Sequence, residues 1–159
     1  MLCCTKELYA QASATASVSA TVIAPVALAK NVDMNFGNAA VSLSTGGTVI
    51  LNTASSRTAT GGGVTLPATT GTVSAANFTV SGAASYTYAI TLPSSTVING
   101  PASSTMTVSS FTSTPSATGI LSSGGTQTLT VGASLSVAAG QVPGTYTNST
   151  AVPVTVNYN

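Results

Sequence analysis

Histidine and tryptophan are missing from this chain, and charge nearly so. Only five of its 159 residues carry one: Lys6, Glu7, Lys30, Asp33 and Arg57. Soluble proteins average about a quarter. The two cysteines, Cys3 and Cys4, are neighbours, so nothing after residue 4 can be held by a disulfide. These shortages exclude whole classes of function. Hydrolytic triads, zinc sites and two-carboxylate glycosidases need His, Cys, Asp or Glu in numbers the chain lacks. Nucleic-acid binding needs several cations on phosphates, and three basic residues do not supply it. The longest unbroken apolar run, Val22 to Ala29, contains Pro25 and is too short to span a bilayer as a helix. No enzyme, cofactor, metal, nucleic acid or transmembrane segment is therefore expected.

What is present is hydroxyl and small apolar side chains: 51 Ser and Thr, 24 Ala and 15 Gly. Disordered tracts can share that composition, but they are poor in β-branched and apolar residues. Here hydrophobic residues reach 43% and alternate with polar ones. The alternation recurs in Val32-Met34-Phe36, Phe78-Val80, Tyr86-Tyr88-Ile90-Leu92, Met106-Val108 and, most regularly, Leu129-Val131-Ala133-Leu135-Val137. Breaks of Gly, Pro, Asn or Ser fall roughly every ten residues, the rhythm of a β-sandwich. No helical stripe and no fixed short repeat is visible. The expectation is an all-β domain of two antiparallel sheets over residues 23–159. Its surface would be hydroxylated and nearly uncharged. A net charge of +1 offers little colloidal repulsion, which suits a packed extracellular solid such as a fibre.

Both ends stand apart from this body. Residues 1–11 hold two of the charges and both cysteines, and Ala10-Gln11-Ala12 has the small-x-small form of a leader-peptidase site. They are read as a leader remnant or a disordered tail. Residues 12–22 alternate Ala12, Ala14, Ala16, Val18, Ala20 and Val22 with hydroxyl residues. As a strand they would reach on the order of 35 Å at ~3.3 Å per residue, with knobs small enough for a narrow groove. The closing segment alternates Val152, Val154, Val156 and Tyr158, an apolar edge that is an aggregation hazard unless something pairs with it.

Several stretches carry a family likeness. GTYTNSTAVPVTVNYN, with Gly144, Tyr146 and Tyr158, resembles the end of chaperone–usher pilins and related spore-coat-U-like domains. VDMNFGN (residues 32–38) resembles the Leu-x-Phe-Gly segment of the archaic type. ATGGGVTLP, AANFTVSG, YAITLP and GGTQTLTVGASLSV are similar to recurring pieces of a family of uncharacterised secreted bacterial domains. The pilin resemblance implies an immunoglobulin-like fold lacking its last strand, filled first by a periplasmic chaperone delivering to an outer-membrane usher. The N-terminal arm of the next subunit then takes that place. Strand addition of this kind uses main-chain hydrogen bonds for affinity and alternate side chains for fit. Repeated head to tail, it gives an open homopolymer. The chain departs from better-known pilins in lacking their disulfide and in placing Pro153 within the last strand. Pro153 is expected to face away from the groove or sit at a bulge.

The resulting expectation is a structural subunit of an exported cell-surface filament. Ala12, Ala14, Ala16, Val18, Ala20 and Val22 would be the donor; Val152, Val154, Val156 and Tyr158 would line part of the acceptor. The rivals are a self-complemented binding module and a glycan-binding tip adhesin. Lys30 with Asp33 reads as an exposed loop pair and Arg57 as a solvated loop residue. Tyr86 and Tyr88 read as packing residues on one face, not a sugar platform.

Overall fold

The structure, a computed structural model, describes residues 11–148 and 151–159. The reading of residues 1–11 as a leader remnant falls, Gln11 apart, outside the described residues. The described chain is all-β and antiparallel, without an α-helix. In order the strands are β1 (Ala27–Val32), β2 (Asn35–Phe36), β3 (Ala40–Val41), β4 (Gly47–Leu51), β5 (Arg57–Thr60), β6 (Val64–Thr65) and β7 (Val73–Ser74). Then come β8 (Ala76–Ser81), β9 (Thr87–Thr91), β10 (Ser95–Asn99), β11 (Thr105–Thr114), β12 (Thr118–Ile120), β13 (Thr126–Val137) and β14 (Thr155–Tyr158).

The regular alternation of residues 129–137 becomes the spine of the molecule. Leu129, Val131, Ala133, Leu135 and Val137 are all buried, while Thr128, Thr130, Ser134 and Ser136 point outward. β13 is long enough to serve two partners along one edge, β8 through residues 126–131 and β4 through 133–137, with β11 on its other edge. With β1, β5 and β10 these strands make a seven-stranded sheet that curls into a half-barrel. Gly132 sits where β8 gives way to β4. A Cβ there would meet the Leu51 carbonyl oxygen and lie 2.8 Å from the Asn52 carbonyl carbon, so the crossover requires glycine.

A second, three-stranded sheet runs β12-β9-β14. Its inward residues Tyr88, Ile90, Val156 and Tyr158 pack on Val80, Leu129 and Val131 of the large sheet. Tyr88 is fully buried, and its hydroxyl donates to Gln127 Oε1 at 2.7 Å. The same oxygen accepts from the Ile120 amide at 3.0 Å. Burial pushes the Tyr88 phenol above its ordinary value of 10.0. Below pH 10 the phenol is neutral in both folded and unfolded chains, and its contribution is complete. Above it the unfolded chain ionises first, so stability falls as pH rises toward the folded value. Thermal melts should therefore be flat below about pH 9 and drop above about pH 10. Tyr88→Phe should cost about 1 kcal/mol at neutral pH and flatten that alkaline drop; an unchanged drop would remove Tyr88 as its source.

One sequence expectation needs correction, and one segment stands apart from the body. In the single chain Ala12–Val22 pairs with no strand: residues 11–25 are exposed and belong to no ladder. A strand takes its hydrogen bonds from a neighbour, and within one chain this segment has none. Arg57, expected to be solvated, is half-buried and donates from Nη1 to the carbonyls of Phe36 and Asn38, both at 2.6 Å. Lys30 and Asp33 do form an exposed pair, 2.6 Å apart, worth little to stability in water. Pro153 lies ahead of β14 and is exposed, so it removes no ladder bond.

Candidate functional site

The three-stranded sheet covers only part of the large sheet. Where it stops, the two chain segments that flank the core separate and leave an elongated groove of about 1090 Å³. One wall is residues 30–41 with Leu43; the other is residues 140–148 with Ala151, Val152 and Val154. The floor is the inner face of the large sheet: Phe78, Val108, Phe111, Val131, Leu135 and Val137. Phe111 and Met34 each pack on both halves of the core, so the groove opens over the join between them.

Beyond the groove lining, the chain end is tied to the body by Tyr158. The Tyr158 hydroxyl donates to the Ala24 carbonyl at 2.9 Å and accepts from the Ala83 amide at 2.7 Å. Its ring meets Tyr86 edge-on, with centroids 5.7 Å apart. Gly82 makes room for that hydroxyl, since a Cβ there would collide with it. Of the four closing-segment residues, Val152 and Val154 line the open groove. Val156 and Tyr158 do not line it and pack into the core. All four are half-buried and alternate with exposed neighbours, so one inward face runs through residues 152–158 although β14 begins only at Thr155.

Each wall has its own support. On the second, the Tyr146 hydroxyl donates to the Val142 carbonyl at 2.7 Å, accepts from Gln141 Nε2 at 2.9 Å and lies 2.7 Å from Ser104 Oγ. Asn99 and Thr147 exchange two main-chain bonds of 2.7 and 2.9 Å. Gly100 admits the Tyr146 ring, because a Cβ at that position would overlap it. On the first wall, Gly37 turns the chain at a φ of +67° between the two carbonyls that Arg57 holds. Two short strands of the first wall stand at the edges of two-stranded ladders, β2 beside β7 and β3 beside β6.

None of the expected donor residues lines this groove in the single chain. Ala12, Ala14, Ala16, Val18, Ala20 and Val22 are all exposed, and Val18 and Val22 reach 96%. Among the described residues ten large hydrophobic side chains are exposed. Six of them lie on or beside this segment or along the groove: Val18, Val22 and Ile23, and Val32, Leu43 and Val142. The closing segment, expected to line part of an acceptor, supplies Val152 and Val154 of the second wall; the first wall, residues 30–41 with Leu43, holds no residue named in that expectation.

Residues 26–158 match the family described as a domain of unknown function (DUF4402). The chain belongs to that family. The DUF4402 match begins at Val26, just where the exposed segment 11–25 ends, and it contains both groove walls. No curated protein and no solved structure matches the chain. Among the described residues, no helix of the DUF4402 chain is long and apolar enough to cross a membrane, and no group of His, Cys, Asp and Glu could hold a metal.

Proposed function

We propose that the chain is a structural subunit of an extracellular bacterial filament in which residues 12–22 of one copy enter the groove of the next. The observation that carries this reading is the pairing of an exposed, unladdered segment with an apolar groove whose first wall carries the edge strands β2 and β3. A strand added there would lie along β2 and β3 and set alternate side chains on Phe111, Val108 and Leu135. Burying Val18 and Val22 would favour the contact by about 1.5–3 kcal/mol each. Donor and acceptor lie on one kind of molecule, so the contact repeats head to tail without closing.

On this reading the fold is an immunoglobulin-like sandwich short of one strand. Tyr146 is in keeping with it: its hydroxyl donates to the carbonyl four residues upstream, a bond of the kind made by the tyrosine corner of such sandwiches. Export through the periplasm, with a chaperone occupying the groove before an usher delivers the subunit, follows from the pilin resemblance. The protein would be no enzyme.

Purified full-length chain, run in SDS without boiling, should give a ladder of subunit multiples that collapses to one band on boiling. Durability of that kind is kinetic, set by slow unfolding of the filled fold. A single band before boiling would favour the rival in which the segment folds into its own groove.

A further inference from the structure

We infer that Arg57 is a positioning residue that holds the first groove wall at the spacing an incoming strand requires; this deepens the strand-acceptor reading and rests on it. Two cations are described. Lys30 is paired with Asp33, whereas Arg57 faces only carbonyl oxygens. Its Nη2 is buried without a hydrogen-bond partner among the described residues. Keeping a guanidinium partly out of water without a carboxylate is unfavourable, so its place calls for a geometric reason. The carbonyls of Phe36 and Asn38 supply one. Gly37, in the left-handed region, swings both toward a single nitrogen; a Cβ on Gly37 would lie 2.9 Å from that nitrogen and 2.7 Å from Val73 Cγ2. Phe36, Gly37 and Asn38 all line the groove.

The wall's other polar ties lead elsewhere. The Asn38 amide donates to Thr70 and its side chain to Thr69, at 2.7 and 3.1 Å, and β2 pairs with β7. Those bonds make residues 35–38 one unit with residues 69–74. At one end that unit is anchored by β7, which runs through Ala75 into β8 of the large sheet, the Ala75 amide donating to Ser55 Oγ at 2.9 Å. Arg57, at the start of β5, holds the turn at residues 36–38 to the same sheet. Without it that turn can drift while the hairpins stay formed.

The test uses the full-length chain carrying Val18→Asp and Val22→Asp, which keeps its own arm out of other copies' grooves and serves as the wild type at position 57, and a fluorescent peptide of the native residues 12–22. Arg57→Met keeps the apolar stem and loses both bonds. It should bind the peptide about tenfold more weakly or worse, the loss expected for at least one charge-assisted bond. Arg57→Lys, whose ammonium reaches one carbonyl at a time, should fall between. Tyr88→Phe, a core change outside the groove, should bind as wild type does even if its melting temperature falls as far. Hydrogen exchange should quicken in residues 35–41 of Arg57→Met and not in β13. Equal peptide affinity for Arg57→Met and wild type would overturn the inference, as would unchanged exchange in residues 35–41. Failure of the wild-type chain to bind the peptide, with the exchange difference intact, would instead overturn the strand-acceptor reading and with it the role assigned to Arg57 in strand binding.

Discussion

Deleting residues 12–22 should leave a folded monomer that makes no filament. The folded half of this expectation comes from what the segment touches. Residues 11–25 join no ladder and are exposed, and the family match starts only at Val26. The one bond near the cut, from the Tyr158 hydroxyl to the Ala24 carbonyl, lies outside the deletion. Circular dichroism and melting temperature should therefore change little. The assembly half comes from what the segment could fill. No other exposed stretch of comparable length among the described residues alternates apolar and hydroxyl side chains. Electron microscopy should show filaments from the intact chain and none from the deletion, and size exclusion should give a monomer. Substituting Val18 and Val22 together by Asp should act in the same direction, since each would put a charge over the Phe111–Leu135 floor without a partner. Intact polymers from the deletion would defeat the donor assignment.

Much of this arrangement was visible in period alone. A strand with one buried face must alternate, so residues 129–137 and 152–158 announced their inward sides before any partner was known. Partners are another matter. Nothing local tells that β13 pairs β8 with its first half and β4 with its second; the only trace is Gly132, a glycine inside an otherwise regular run. The first groove wall was hidden for the same reason. Residues 33–43 contribute two short strands whose partners lie some 25–40 residues on, and a turn that matters only because Arg57 reaches it. Arg57 read as a loop charge because a cation without an acidic neighbour usually is one. The arm shows the opposite limit. Its alternation is real, but alternation specifies a face, and a face becomes a strand only beside another strand.

The scarcity of charge has a consequence for assembly. The donor segment carries none, and the groove's only charged pair is Lys30 with Asp33, which already neutralise each other at an exposed rim. The proposed association would therefore depend on apolar burial and main-chain bonds, which salt screens little. That separates the proposed contact from electrostatic adhesion.

Gly132→Val should have the largest effect on the fold itself. The would-be Cβ points at main-chain atoms of the neighbouring strand, the Leu51 oxygen and Asn52, which no rotamer change can clear. Relief requires β4 to move away from β13, and five paired positions, from Ala133 with Leu51 to Val137 with Gly47, depend on that contact. The same displacement loosens Val49, Leu135 and Val137, the part of the core beneath the groove. Overpacking of this kind costs about 3 kcal/mol, a large share of a stability of about 5–15 kcal/mol. Thermal denaturation should show a fall on the order of 10 °C. Gly124→Ala is the comparison. Gly124 is exposed, and its nearest neighbour in that direction is the Ser122 hydroxyl at 3.7 Å, so its melting temperature should stay near wild type. The two lesions then sort fold from assembly: loss of filaments with an unchanged melt marks the arm, and loss of both marks the spine. A Gly132→Val chain that melts with wild type would mean that β4 does not pass β13 at the distance described, and the floor of the groove would have to be redrawn.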